Sequence, residues 1–296
     1  MNEKDLITGF VNYLRNEGYR LTTYNGAKNI VSLFLIWLKT EQLNYLETSY
    51  NDLLSYINHL QEKGNKKSSI NGTLIAIRHF YNYLQNENKV KSNPAETLRI
   101  RNITRQVPHD LLEWEELENI YKNFASTGIT GKRNKAMLGL MIYQGLTVSE
   151  LYALEEKDIK LEEGKIYVPQ TGRSNNRILK LEAFQVIQLQ KYITQIRPII
   201  LQLTDKTTEK LFVSTGTGER LSNSLSRICE KLRKYDQKVK NFKQIRASVI
   251  TYWLKTQGIR QVQYMTGHRY ISSTERYRTD TLENLQDLIN ELHPLG

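Results

Sequence analysis

Apolar residues recur every three to four positions through most of this chain, and a few polar or glycine-containing breaks interrupt them. Leu6, Phe10, Val11 and Leu14 share one helical face, with Gly18 as a stop. Ile30, Leu33, Phe34 and Trp37 mark a second helix, and Leu53, Leu54, Ile57 and Leu60 a third. Ile75, Ile77, Phe80, Tyr81 and Leu84 mark a fourth. The basic break at 64–69 precedes that fourth helix and offers Ser68 or Ser69 as its cap. Asn93-Pro94 closes the helical run, because the residue before a proline is pushed out of the α region. From Lys91 to Pro108 the periodicity fades and cations recur (Lys91, Arg99, Arg101, Arg105), which is the pattern of a linker. These breaks predict an N-terminal helical part over 1–92, a linker over 93–108 and a second part over 109–296.

The second part opens with a helix at Leu112-x-x-Glu115-Glu116-Leu117. Another runs from Arg133 to Tyr143 and is broken by Gly145. The period then shortens to two. Residues 165–168 and 177–181 read as paired strands around the polar turn 171–176. Helices are expected at about 183–199, 221–235, 243–257 and 259–265, and a short strand near Leu211-Phe-Val213. An amphipathic helix over 282–292, with Leu285, Leu288 and Ile289 as its stripe, ends the chain. The expected fold is mainly α: a four-helix bundle followed by an α+β domain with a small antiparallel sheet.

Composition narrows the function classes. The 296 residues suffice for two domains, each with its own core. Net charge is +11, and residues 231–278 hold twelve Lys/Arg against Asp236 and Glu275, a net of +10. Such clustering favours a polyanion partner, since a basic face gains affinity by displacing phosphate counterions; the bland alternative is a merely soluble basic protein. Cys229 stands alone, which excludes an internal disulfide or a cysteine-based metal site and suits a reducing compartment. The apolar run from Val31 to Leu38 is too short to span a bilayer, and the N-terminus has no signal-peptide pattern. A cytoplasmic, nucleoid-associated bacterial protein is the expectation.

Chemistry concentrates in the same basic segment. Lys243 and Arg246 lie three apart on one helical face and can hold a phosphate; His268 follows a glycine turn, and Tyr277 lies nine residues beyond. No Asp/Glu or His/Cys cluster has metal-ligand spacing, so a two-metal nuclease is disfavoured and no cofactor is called for. Arginine can instead neutralise the non-bridging oxygens while a tyrosine attacks phosphorus and conserves the bond as a phosphotyrosine. The structural alternatives are plain. Tyr277 is one of eighteen tyrosines, His268 can be a packed histidine, and Lys243 and Arg246 can be a solvated face. Lys66, Lys67 and Arg78 on the N-terminal part read equally as DNA-facing or as surface cations.

Taken in order, these motifs resemble the tyrosine recombinase (phage integrase) family. The four-helix part ending in Asn93-Pro94-Ala95, the segment 132–151, the hairpin, Lys243-x-x-Arg246, Thr266-Gly-His268 and Tyr277 carry the resemblance over nearly the whole chain. It implies a SAM-like core-binding domain and a catalytic domain that clamp duplex DNA in a C shape. Tyr277 would be the nucleophile, Arg246 the second catalytic arginine, His268 a phosphate donor, Lys243 the replacement for a usual histidine and Glu150 the buttress of the first arginine. That first arginine is absent: the family's Gly-Leu-Arg-x-Ser-Glu-Leu reads Gly145-Leu-Thr147-Val-Ser-Glu-Leu151 here. The hairpin lysine is also absent, with Arg173 as its nearest substitute. Arg101, Arg105 and Arg269 join Lys66, Lys67 and Arg78 as expected DNA contacts. The implied partners are an inverted-repeat core site and three further copies of the chain, with the terminal helix docking in trans. The alternative is a recombinase fold that binds DNA and cleaves it poorly.

Overall fold

A computed structural model describes residues 3–101, 110–172, 174–216, 218 and 221–278, apart from the Ser222 side chain. The chain divides into two compact units, Met1–Arg105 and Gln106–Gly296.

The first unit contains α1 (Glu3–Asn16), α2 (Leu21–Thr40), α3 (Tyr50–Glu62) and α4 (Lys67–Asn86). Their apolar faces meet in a core that buries Phe10, Phe34, Phe80, Leu53, Ile77 and Leu84. Each such side chain contributes about 1.5–3 kcal/mol relative to exposure. Phe10 and Phe80 meet edge to face at 5.5 Å. Helix α3 starts with a capping box in which the Ser49 hydroxyl accepts from Asp52 N–H and the Asp52 carboxylate accepts from Ser49 N–H. Helix α4 does not use the expected cap. Lys66 occupies the N-cap position without a side-chain bond, and Ser68 and Ser69 lie inside the first turn. The segment expected to be a linker begins as part of this unit, with Ala95 and Leu98 buried in its core. Arg78 holds it there, Nε donating to Ala95 O at 3.0 Å and an Nη to Leu98 O at 2.6 Å.

The second unit is built around α6 (Gly128–Tyr143). This helix is buried on every side, from Arg133 and Ala136 through Ile142. Around it lie α5 (Trp114–Asn123), α7 (Val148–Ala153), α8 (Ala183–Lys191), α9 (Arg197–Thr204), α10 (Ser222–Tyr235), α11 (Phe242–Thr256) and α12 (Ile259–Thr266). Strands β1 (Ile159–Lys160), β2 (Lys165–Val168) and β3 (Arg177–Lys180) form an antiparallel sheet in the order β1-β2-β3. Ile166 faces Leu179 across β2 and β3, and Val168 faces Arg177.

In this unit two expectations change. The single helix expected at 183–199 is α8, a π turn over Tyr192–Ile196 and then α9. Pro198 sits in the first turn of α9, just after that π turn, where a missing N–H is best tolerated. No strand forms at 211–213. The chain makes only an isolated bridge between Glu155 and Lys210, and the carbonyls that a ladder would use accept side-chain donors instead. Leu211 O takes the Tyr192 hydroxyl, and Val213 O takes the buried Arg133 guanidinium at 2.7 Å. The terminal stripe Leu285, Leu288 and Ile289 lies outside the described residues.

Candidate active site

Four segments of the second unit converge: the start of α7, the first residue of β3, the first half of α11, and the chain from the end of α12 to Arg278. Gly145 ends α6 in a left-handed turn with φ of +58°, where a Cβ would stand 3.0 Å from the Trp253 ring. Thr147 then caps α7 in a second capping box. Glu150 N–H donates to its hydroxyl, while that hydroxyl and Thr147 N–H both donate to Glu150 Oε2 at 2.9 and 2.8 Å. The Glu150 side chain is 0% exposed, and two guanidinium groups face it. Arg177 Nη1 lies 2.6 Å from Oε1, and Arg246 Nη1 lies 3.5 Å from Oε2. Burial alone would raise this carboxyl; the Arg177 hydrogen bond and charge, the Arg246 charge and Thr147 N–H outweigh it and hold it at about 2.

Arg246 projects from α11, which is capped by the Asn241 side chain accepting from Gln244 N–H at 3.0 Å. Its guanidinium also donates to Gly145 O and, at 2.8 Å, to Thr266 O, so it ties the turn before α7 to the end of α12. Gly267 closes α12 in the left-handed conformation, φ +70°, and a Cβ there would sit 2.6 Å from Arg177 Nη1. The following turn joins the hairpin. Asn175 N–H donates to Gly267 O at 2.8 Å, and Ser174 and His268 form a β-bridge.

His268 pairs through Nδ1 with the Thr274 hydroxyl at 2.9 Å and lies parallel to the Tyr277 ring, centroids 6.1 Å apart with a 10° interplanar angle. Burial first, then the charges of Arg246 and Arg177, lower the imidazole to about 4, so it is neutral near pH 7. Tyr277 lies in the helical stretch 272–278, partly buried. Burial raises its phenol, while Arg246 and Arg276 pull the other way. A neutral imidazole, a protonated phenol, the buried Arg177 and the partly buried Arg246 therefore cluster together.

Of the residues read from sequence, Glu150, Arg246, His268 and Tyr277 come together. Lys243 stands exposed on the first turn of α11. Arg269 is exposed, an Nη 3.5 Å from Thr171 O in the hairpin turn. Lys66 and Lys67 are exposed on the first unit, as is Arg101. Arg78 differs from a free DNA contact, because two of its donors are taken by backbone carbonyls. Arg105 and Arg173 lie outside the described residues. Arg177, Thr274 and Arg276 escaped the sequence reading. Arg177 had a signal: it shares strand parity with Leu179 and Leu181, and a cation on a core face requires an anion behind it.

Residues 110–283 match the model of the phage integrase family, and residues 7–88 match its N-terminal SAM-like domain. The tyrosine recombinase XerC of Oceanobacillus iheyensis is 27% identical over 303 residues, covering 99% of this chain and 98% of that protein. XerC of Pelotomaculum thermopropionicum is 30% identical over 249 residues, covering 81% and 79%. Among solved structures, the XerH site-specific recombinase bound to palindromic difH substrate superposes with a TM-score of 0.71 at 18% identity, covering 91% of this chain and 80% of that one. A lambda integrase dimer bound to a COC' core site gives 0.65 at 16% identity, covering 95% and 96%. The chain belongs to the phage integrase family, the tyrosine recombinases.

Proposed function

We propose that this protein exchanges DNA strands at a specific site through a 3′-phosphotyrosine intermediate. One observation carries the reading: the Tyr277 ring lies against neutral His268, within reach of the Arg246 charge. The Tyr277 hydroxyl loses its proton and attacks the scissile phosphorus. The Oη–P bond forms as the P–O5′ bond breaks, and O5′ takes up a proton. Attack by a second 5′ hydroxyl reverses the step on a partner strand. Arg246 binds a non-bridging oxygen, and His268 donates to the phosphate from Nε2 in the tautomer whose Nδ1 accepts from Thr274. Lys243 and Arg269 flank the phosphate from exposed positions, with Arg173 as the hairpin cation. Lys66, Lys67, Arg101 and Arg105 contact the DNA backbone without reading sequence.

The proposed substrate is a core site of inverted repeats held by four protomers, with the terminal helix docking in trans, in the bacterial cytoplasm. The relatives' names and the DNA-bound neighbours support this reading. The test begins with selection of bound fragments from genomic DNA, then a nicked suicide substrate built on the recovered site. Wild type is expected to become covalently attached, and Tyr277→Phe to bind with unchanged affinity and form no adduct. Adduct formation by Tyr277→Phe would refute the assignment. Thr147 favours a second reading, a recombinase fold that binds DNA and cleaves it weakly. An adduct yield near background from wild type on its own selected site would favour that reading.

A further inference from the structure

In the second unit, α5, the start of α6, α8 and the π turn enclose a groove of about 410 Å³ that shares no residue with the cluster around Tyr277. Buried Tyr121 and Ile196 line it, and Phe184 and Ile187 on α8 stand beside them 42% and 55% exposed. The lining is tied down. The Tyr121 hydroxyl donates to Gln188 Oε1 at 2.7 Å, and Lys135 Nζ lies 5.1 Å from the Tyr121 ring while donating to the carbonyls of Lys122 and Phe124. A groove shaped before its ligand arrives loses less freedom on binding. One wall is the π turn Tyr192–Ile196, and such breaks in a helix recur at functional sites.

Charge narrows what fits. Lys132, Lys135 and Lys191 line the groove, and no carboxylate does among the described residues. Lys135 is occupied by backbone carbonyls, whereas Lys132 and Lys191 are exposed and make no ion pair among the described residues. A DNA backbone would meet the ammonium groups but leave the apolar side chains between them without cover. A peptide with an aromatic or aliphatic residue beside Asp or Glu meets both. The volume admits roughly one or two such anchor side chains, which is the scale of a short motif.

We infer that this groove is a docking site for an acidic segment of a partner protein, with an aromatic or aliphatic anchor against Tyr121, Phe184 and Ile187 and carboxylates on Lys132 and Lys191. The inference goes beyond strand exchange and does not depend on it, since the groove and the Tyr277 cluster have no residue in common.

The test pans phage-displayed random dodecapeptides on the immobilised full chain, then measures the Kd of the enriched peptides, resynthesised with a fluorescent label, by anisotropy. Enriched sequences are expected to combine Asp or Glu with Phe, Trp, Leu or Ile. Ile187→Asp and the double variant Lys132→Glu/Lys191→Glu are each expected to weaken them at least about tenfold, with melting temperature unchanged. Should Ile187→Asp fail to fold, the lysine variant alone decides. No enrichment, enriched peptides without acidic residues, or binding that survives the folded variants overturns the inference. Displacement of the peptides by random duplex DNA assigns the groove to the DNA backbone and overturns it as well. Residues 280–292 of this chain carry Asp280, Glu283, Asp287 and Glu291 and no Lys or Arg, so a peptide of that sequence is the control. If it binds the groove more tightly than the selected peptides, the occupant is this chain's own segment and the partner assignment falls.

Discussion

Glu150 shows how much one residue organises here. Removing one member of a fully buried ion pair leaves the other charge without compensation, so Glu150→Ala is expected to cost about 3–5 kcal/mol, read from chemical denaturation of the full chain. Gly267 is constrained in the same neighbourhood for a different reason. A Cβ there meets Arg177 Nη1 and the Asn175 carbonyl oxygen at 2.6 and 2.9 Å, in a left-handed conformation that favours glycine. Gly267→Ala is therefore expected to destabilise by about 1–3 kcal/mol and to lower adduct yield, because His268 shifts with the turn. A variant as stable and active as wild type would contradict this. Sequence reading reached most of this cluster because Arg246, His268 and Tyr277 stand in recognisable order near one another. It missed Arg177 because strand parity puts this arginine on the core face without saying which anion pairs with it, and that carboxylate lies 27 positions earlier.

The same division holds for whole elements. The four N-terminal helices and the hairpin were legible, since each presents a regular apolar face and ends at glycine, proline or a polar turn. What periodicity cannot convey is where backbone carbonyls find donors. Residues 211–213 have the composition of a strand, yet Tyr192 and Arg133 take their carbonyls and only an isolated bridge forms nearby. Thr147-x-x-Glu150 forms a capping box that the sequence reading did not name, and the Thr147 hydroxyl holds the first turn of α7. Thr147→Ala is expected to lose about 0.5–2 kcal/mol, less than Glu150→Ala, in the same denaturation assay. In the first unit, Arg78 fixes the strap that carries Ala95 and Leu98. Arg78→Ala is expected to speed amide exchange of residues 95–98 while leaving the second unit's protection unchanged. Equal exchange rates would show that burial of Ala95 and Leu98 alone secures the strap.

At the scale of the molecule, the buried site makes stability depend on acidity in two steps. His268 titrates near 4 when folded, below its ordinary value of 6.5, so the unfolded chain binds the extra proton between those values. Stability is then lost as pH falls from about 6.5 toward 4. Glu150, held at about 2 against an ordinary 4.5, adds a second loss as pH falls from about 4.5 toward 2. Melting temperature measured from pH 7 to 3 is expected to fall throughout that range, and His268→Asn to flatten the upper step. An unchanged upper slope in the variant would contradict the imidazole assignment. Charge patterning suggested a basic surface, but the buried Arg177–Glu150 pair depends on a long-range contact that no local window contains.

The rung between the hairpin turn and the His268 loop has a mechanical consequence. Asn175 and Gly267 share a backbone bond, and Ser174 bridges His268, so the turn and the backbone that carries the imidazole are held together. A displacement of that turn would shift the ring relative to Tyr277.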